Sequence, residues 1–168
     1  MEKKYQLFIY GYCQRGQKDN YLLKNSRYIG MESLKGWNMM LLDEFPIAVK
    51  NKNIYNMNAS IVVERYEVTE QLIHDLDSYY DVPKYYNRMI VTSNSGKRGI
   101  LYFAEENKSK LKGIGKPIPN GNWLSYSKIE EKLKKRKHRK LLEQQTELEQ
   151  QKKKLTKKKL EEKHNEKQ

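Results

Sequence analysis

The hydrophobic pattern changes period several times along the chain, and each change marks an element. Residues 5–10, YQLFIY, form a continuous apolar and aromatic run, the pattern of a strand buried on both faces. Residues 18–25, KDNYLLKN, hold one helical turn's worth of apolar positions and predict a short helix. WNMMLLD at 37–43 predicts a second strand, ended by EFPIAV. SIVVERYEV at 60–68 is the strongest strand signal, with Ile61, Val62 and Val63 followed by alternation through Glu64, Arg65 and Tyr66. At TEQLIHDLDSYY, 69–80, the period becomes helical: Leu72, Ile73 and Leu76 share one side, and Thr69 stands where an N-cap belongs. RMIVTS and GILYFA, separated by NSGKR, predict a hairpin, and KPIPNGNW is a Pro/Gly-rich closing loop.

From Ser127 onward the pattern is helix and nothing else. Gly and Pro vanish, and Lys, Glu, Gln and Leu dominate. Leu141, Leu148 and Leu155 recur every seven residues, yet the companion positions are Gln144, Gln145 and Lys152. A stable coiled coil needs two apolar positions per heptad, so this spacing supports a long solvated helix, with weak self-association as the alternative. The change of pattern predicts a folded domain over 1–126 and a helical tail over 127–168.

Charge sharpens that division. The tail holds 16 Lys/Arg against 8 Asp/Glu, a net +8 of the chain's +13. Its two basic blocks, KLKKRKHRK and KKKLTKKKL, can bind phosphates by releasing counterions, so nucleic acid or an acidic protein is a candidate partner. The blocks lack interleaved aromatics, which argues against base stacking, and too few Leu positions line up for a membrane-surface helix. No apolar run is long enough to span a membrane, no signal peptide opens the sequence, and the single cysteine suits a reducing compartment; a cytoplasmic protein is expected. His74, His138 and His164 have no metal-ligand spacing, so neither metal nor cofactor is expected.

Candidate chemistry begins where the first strand ends. YGYCQRGQ, 10–17, leaves that strand through a glycine, and a turn of this kind can expose successive backbone N–H groups as an anion cradle or merely reverse the chain. In order along the chain, FIYGYCQRGQ, NYLL, EFPIAV, VERYEV, LDSYYDVPKYYNR, GILYF and PNGNW resemble the γ-glutamylcyclotransferase-like family, nearest its γ-glutamylamine cyclotransferase branch, over about residues 5–126. That family opens on Tyr-Gly-Thr-Leu followed by a basic residue and Gly. It then shows Gly-Glu-Leu-Tyr-x-Val, Leu-Asp-x-x-Glu, Tyr-x-Arg and Gly-Asp-Trp. The resemblance implies an α+β fold: a compact mixed β-barrel with short helices around it, here followed by the charged C-terminal helix. It also implies a pocket for a small amino-acid-like or anionic ligand, bordered by Tyr10, Gly11, Tyr12 and Cys13, with Tyr80 and Tyr86 closing it.

The family reaction yields 5-oxoproline: the substrate's α-amine attacks its own γ-carbonyl and expels the attached amine. A carboxylate must take a proton from the α-amine and return one to the leaving nitrogen. Where the family has the Glu of Leu-Asp-x-x-Glu, this chain reads Leu76-Asp77-Ser78-Tyr79-Tyr80. A phenol with an ordinary pKa of about 10 is a poor base near neutrality. Asp81 is the candidate substitute, but one step along a helix turns a side chain by about 100°, so it reaches the pocket only if the helix has ended. The expectation is a pocket that has lost its base, or alternatively an active enzyme with a displaced one. Glu64 falls on the family's Gly-Glu-Leu-Tyr motif with Val63 in the glycine's place, and a structural hydrogen-bonding role leads. Tyr86 and Arg88 match Tyr-x-Arg; Arg88 is a candidate ion-pair partner for Asp77. Cys13 sits in the loop, where N–H groups can lower a thiol pKa, but it has no obvious His partner.

Overall fold

The computed structural model describes residues 3–52, 58–105 and 115–165, with the backbone alone for 155–165. Ten elements follow in order: β1 (Lys4–Ile9), β2 (Arg27–Lys35), β3 (Trp37–Leu42), β4 (Phe45–Lys50), β5 (Ser60–Thr69), α1 (Glu70–Tyr79), β6 (Tyr86–Thr92), β7 (Arg98–Ala104), β8 (Lys116–Pro117) and α2 (Trp123–Asn165). Single 3-10 turns lie at Gly11–Cys13, Asn20–Leu23 and Pro119–Gly121. Backbone contacts divide the chain into two compact units, Met1–Tyr126 and Ser127–Gln168.

In the first unit, five strands form a mixed sheet in the order β2-β5-β1-β7-β6, and three form a second sheet, β4-β3-β8. β1 is central: it runs antiparallel to β5 and parallel to β7. Its unbroken apolar run is explained by burial on both faces, Phe8 and Tyr10 entering one core cluster and Leu7 and Ile9 another. β5 divides the same way, Ile61 and Val63 on one side and Tyr66 and Val68 on the other. Helix α1 starts where the pattern placed it, with the Leu72 N–H donating to Thr69 Oγ1 at 3.2 Å. Ile73 and Leu76 form its buried stripe.

Two expectations are corrected, and one strand is added to those the pattern predicted. The two sheets do not close into a barrel among the described residues: β2 and β6 remain the ends of the larger sheet, and β4 borders it without pairing. Ile47 and Val49 of β4 instead pack by side chains against Ala104 and Tyr86, and Pro46, the second residue of β4, has no N–H to give a ladder. EFPIAV does not end the second strand; it is β4, paired antiparallel with β3 after a turn in which Asp43 has φ +51°. The added strand is RYIGMESLK, β2, held to β5 across a register shift between Tyr28 and Gly30.

The second unit is the body of α2. Leu141 and Leu148 are exposed, as expected of a solvated helix with one leucine per heptad, while Leu155 lies outside the residues whose side chains are described. No helix among the described residues is long and apolar enough to cross a membrane.

Candidate ligand pocket

The turn that leaves β1 builds one wall of a cavity of about 540 Å³, lined in part by Tyr10, Tyr12, Cys13, Tyr80, Tyr86 and Asp81. Gly11 does not line it but makes its shape possible. Its φ is +68°, and a Cβ there would stand 2.7 Å from Cγ of Pro46, which is itself a wall residue. The Gly11 N–H, expected to face an anion, donates instead to the buried Gln14 Oε1 at 3.1 Å.

Neighbouring elements hold the aromatic walls in place. Tyr12 Oη donates to the Glu44 carbonyl at 2.6 Å, and its ring meets Trp123 edge-on at 5.1 Å. Trp123 in turn donates from Nε1 to Gln17 Oε1 at 3.0 Å. The closing NGNW segment can approach this closely because Gly121, at φ +56°, has no Cβ to collide with the Ser60 carbonyl. Tyr79 Oη donates to Asp19 Oδ2 at 2.7 Å.

Tyr80 is the C-cap of α1, and its ring stacks on Tyr102 at 4.5 Å and tilts against Tyr86 at 5.1 Å. Its hydroxyl donates to Cys13 Sγ at 3.6 Å. Burial, and then the neighbouring thiol, push the Tyr80 phenol well above its ordinary pKa. Burial likewise raises the Cys13 thiol, so the loop's N–H groups do not turn it into a ready thiolate. The Tyr10 hydroxyl is buried without a hydrogen-bond partner; the Ala48 N–H lies near it but does not complete a bond. Helix α1 has ended before Asp81, whose φ is +49°. Its half-exposed carboxylate lines the cavity and pairs with Lys84 Nζ at 3.5 Å.

Other wall residues were not singled out from the sequence: Phe45, Pro46, Tyr79 and Tyr85. The doubled tyrosines of LDSYYDVPKYYNR, spaced six residues apart, were a usable signal for two of them. Phe45 and Pro46 arrive from the β3–β4 hairpin, and nothing local announces that.

Glu64 and Arg88 hold the fold. Glu64 is 1% exposed; its Oε2 accepts from the Arg15 N–H and from Tyr66 Oη, both at 2.9 Å, and Arg15 Nε stands 3.6 Å from Oε1. Arg88 pairs with Asp77 at 3.1 Å, and Tyr102 Oη donates to the same carboxyl group at 2.9 Å.

Comparisons with known proteins agree with this architecture. The family described as "Gamma-glutamyl cyclotransferase, AIG2-like" matches residues 7–125. A protein of Methanocaldococcus jannaschii named "Putative gamma-glutamylcyclotransferase MJ1514" is 32% identical over 126 residues, which span 71% of this chain and 96% of that protein. The crystal structure of the uncharacterized protein PH0828 from Pyrococcus horikoshii superposes with a TM-score of 0.58 at 21% identity, covering 80% of this chain and 98% of the other. An AIG2-like protein from Mus musculus does so with a TM-score of 0.51 at 19% identity, over 64% and 80%. At those identities the structural likeness speaks for the fold alone. Since the family match spans nearly all of the first unit, the chain belongs to the gamma-glutamyl cyclotransferase, AIG2-like family.

Proposed function

We propose that this protein binds a small amino-acid-derived ligand in the Tyr10–Tyr80 cavity and does not turn over γ-glutamyl compounds. One observation carries the reading: where the family motif has its acid, the cavity meets a phenol, Tyr80, raised by burial. Forming 5-oxoproline requires a base that accepts a proton from an ammonium near neutral pH, and a neutral buried phenol accepts poorly. Asp81 is the one carboxylate among the described lining residues, and it is exposed and engaged with Lys84. A retained pocket is supported by the buried, unpartnered hydroxyl of Tyr10, because an unmet buried hydroxyl is costly unless a guest satisfies it.

The test is 5-oxoproline release from γ-glutamyl amines and γ-glutamyl dipeptides. No release above background is expected from the natural chain, while Tyr80→Glu returns a carboxyl group to the family's position and should begin to turn over. Turnover by the natural chain that disappears in Asp81→Asn would establish the displaced-base enzyme instead.

A further inference from the structure

The densest charge of the chain lies in the first half of α2 and lines no part of the cavity. Every residue from Glu131 to Lys154 is exposed. Within that stretch, 132–140 reads KLKKRKHRK: seven Lys or Arg, one His, Leu133 and no acid. The flanking Glu131 and Glu143 pair with Lys135 at 2.6 Å and with Arg139 at 3.7 Å. Lys132, Lys134, Arg136, Lys137 and Lys140 stand in no ion pair among the described residues. The block is bounded, since 141–151 carries three Glu and no Lys or Arg.

Its geometry selects among polyanions. At about 100° per residue, the seven cations leave no arc of the helix wider than roughly 100° bare. A flat acidic surface, protein or membrane, faces only part of such a set, and Leu133 alone gives a membrane no apolar stripe. A groove walled by phosphates on both sides reaches all of it. Charge density agrees: seven cations over nine residues make about one per 2 Å of helix, against about one per 1.7 Å along a DNA duplex. The major groove of B-DNA, about 12 Å wide, admits a helix, whereas that of A-form RNA is narrow and deep. No Phe, Tyr or Trp lies in 127–168, so a single strand finds nothing to stack on. Left alone, the block works against its own helix, because Lys132 and Arg136, and Arg136 and Lys140, are like charges four residues apart. Phosphates relieve that repulsion.

We propose that the 132–140 block of α2 binds double-stranded DNA through its phosphates, in the major groove and without sequence preference. The five cations outside ion pairs make the contacts, and counterions released from the duplex drive the association.

The experiment is fluorescence anisotropy of the full chain with labelled DNA duplexes. Five phosphate contacts give a slope of log affinity against log salt of about −4.5, so binding should weaken roughly 500-fold between about 50 and 200 mM salt. Two duplexes of unrelated sequence should bind within about threefold of each other. Replacing Lys132, Lys134, Arg136 and Lys137 together by Gln should weaken binding about a hundredfold at low salt and flatten the slope to about −1. Gln is a good helix former, so circular dichroism should show no loss of helix in that variant. Replacing the exposed Lys24, Lys35, Lys50 and Lys97 of the first unit by Gln changes net charge equally and should leave affinity within about threefold. A slope shallower than about −2, or undiminished binding by the block variant, would overturn the proposal. So would a loss in the first-unit variant as large as in the block variant. Binding to an RNA duplex, a DNA single strand, polyglutamate or phosphatidylserine vesicles as tight as to duplex DNA would overturn the choice of partner.

Discussion

The turn that leaves β1 serves two regions that treat their polar groups in opposite ways. Around Glu64 the accounts are closed: a backbone N–H, a phenol and a guanidinium converge on one buried carboxylate. Around the cavity they are open, with the Tyr10 hydroxyl unpartnered and the one carboxylate of the described lining, Asp81, half in solvent and held only by the exposed Lys84. The lesson is that burial of an acid does not mark a catalytic site. Glu64 is far better buried than Asp81, yet its oxygens already serve the fold, while the group that still lacks a partner at the cavity is a phenol, Tyr10.

The largest effect expected from this contrast is at Glu64. Glu64→Ala leaves the Arg15 N–H and Tyr66 hydroxyl without their acceptor in a buried setting, and should cost about 3–5 kcal/mol in urea unfolding. A loss under about 1 kcal/mol would mean that water replaces the carboxylate and that the region is not closed.

Gly11→Ala is next. It combines a left-handed backbone with an approach of 2.7 Å to Pro46, and should destabilise by about 1–3 kcal/mol. It should also disturb cavity binding, since the turn and Pro46 shape the same wall.

A pH titration of the natural chain against Tyr86→Phe isolates a cavity contribution, because the buried Tyr66 phenol on the Glu64 side is raised as well. Burial holds the Tyr86 phenol up to about 12 against its ordinary 10.0. The folded chain therefore keeps a proton that the unfolded chain releases, so this contribution is complete below pH 10 and is lost as the pH rises toward about 12. Denaturation midpoints should fall across that window, and the fall should be shallower in Tyr86→Phe.

The smallest effect is expected at Arg88. Its pair with Asp77 is partly exposed, so Arg88→Ala should cost no more than about 1 kcal/mol, because solvent screens such pairs. A much greater loss would extend the closed network beyond Glu64 to the foot of α1.

Much of the fold and part of the candidate site were legible in the residues themselves. The run through Leu7, Phe8 and Ile9 dictated a strand covered on both faces, Thr69 with Leu72 and Leu76 dictated a capped amphipathic helix, and the charge of the tail dictated a solvated one. The phenol at position 80 was equally plain in the sequence, because a missing acid needs no coordinates to be noticed. Tertiary structure alone decided which faces meet. It turned Glu64 inward onto Arg15, brought Phe45 and Pro46 across from a distant hairpin, left the sheets unclosed among the described residues and ended α1 one residue early enough for Asp81 to border the cavity. The physical reason is one of range: periodicity and capping report how a segment treats its own two sides, whereas a pocket is made by segments whose contact depends on pairing register and turn direction far along the chain.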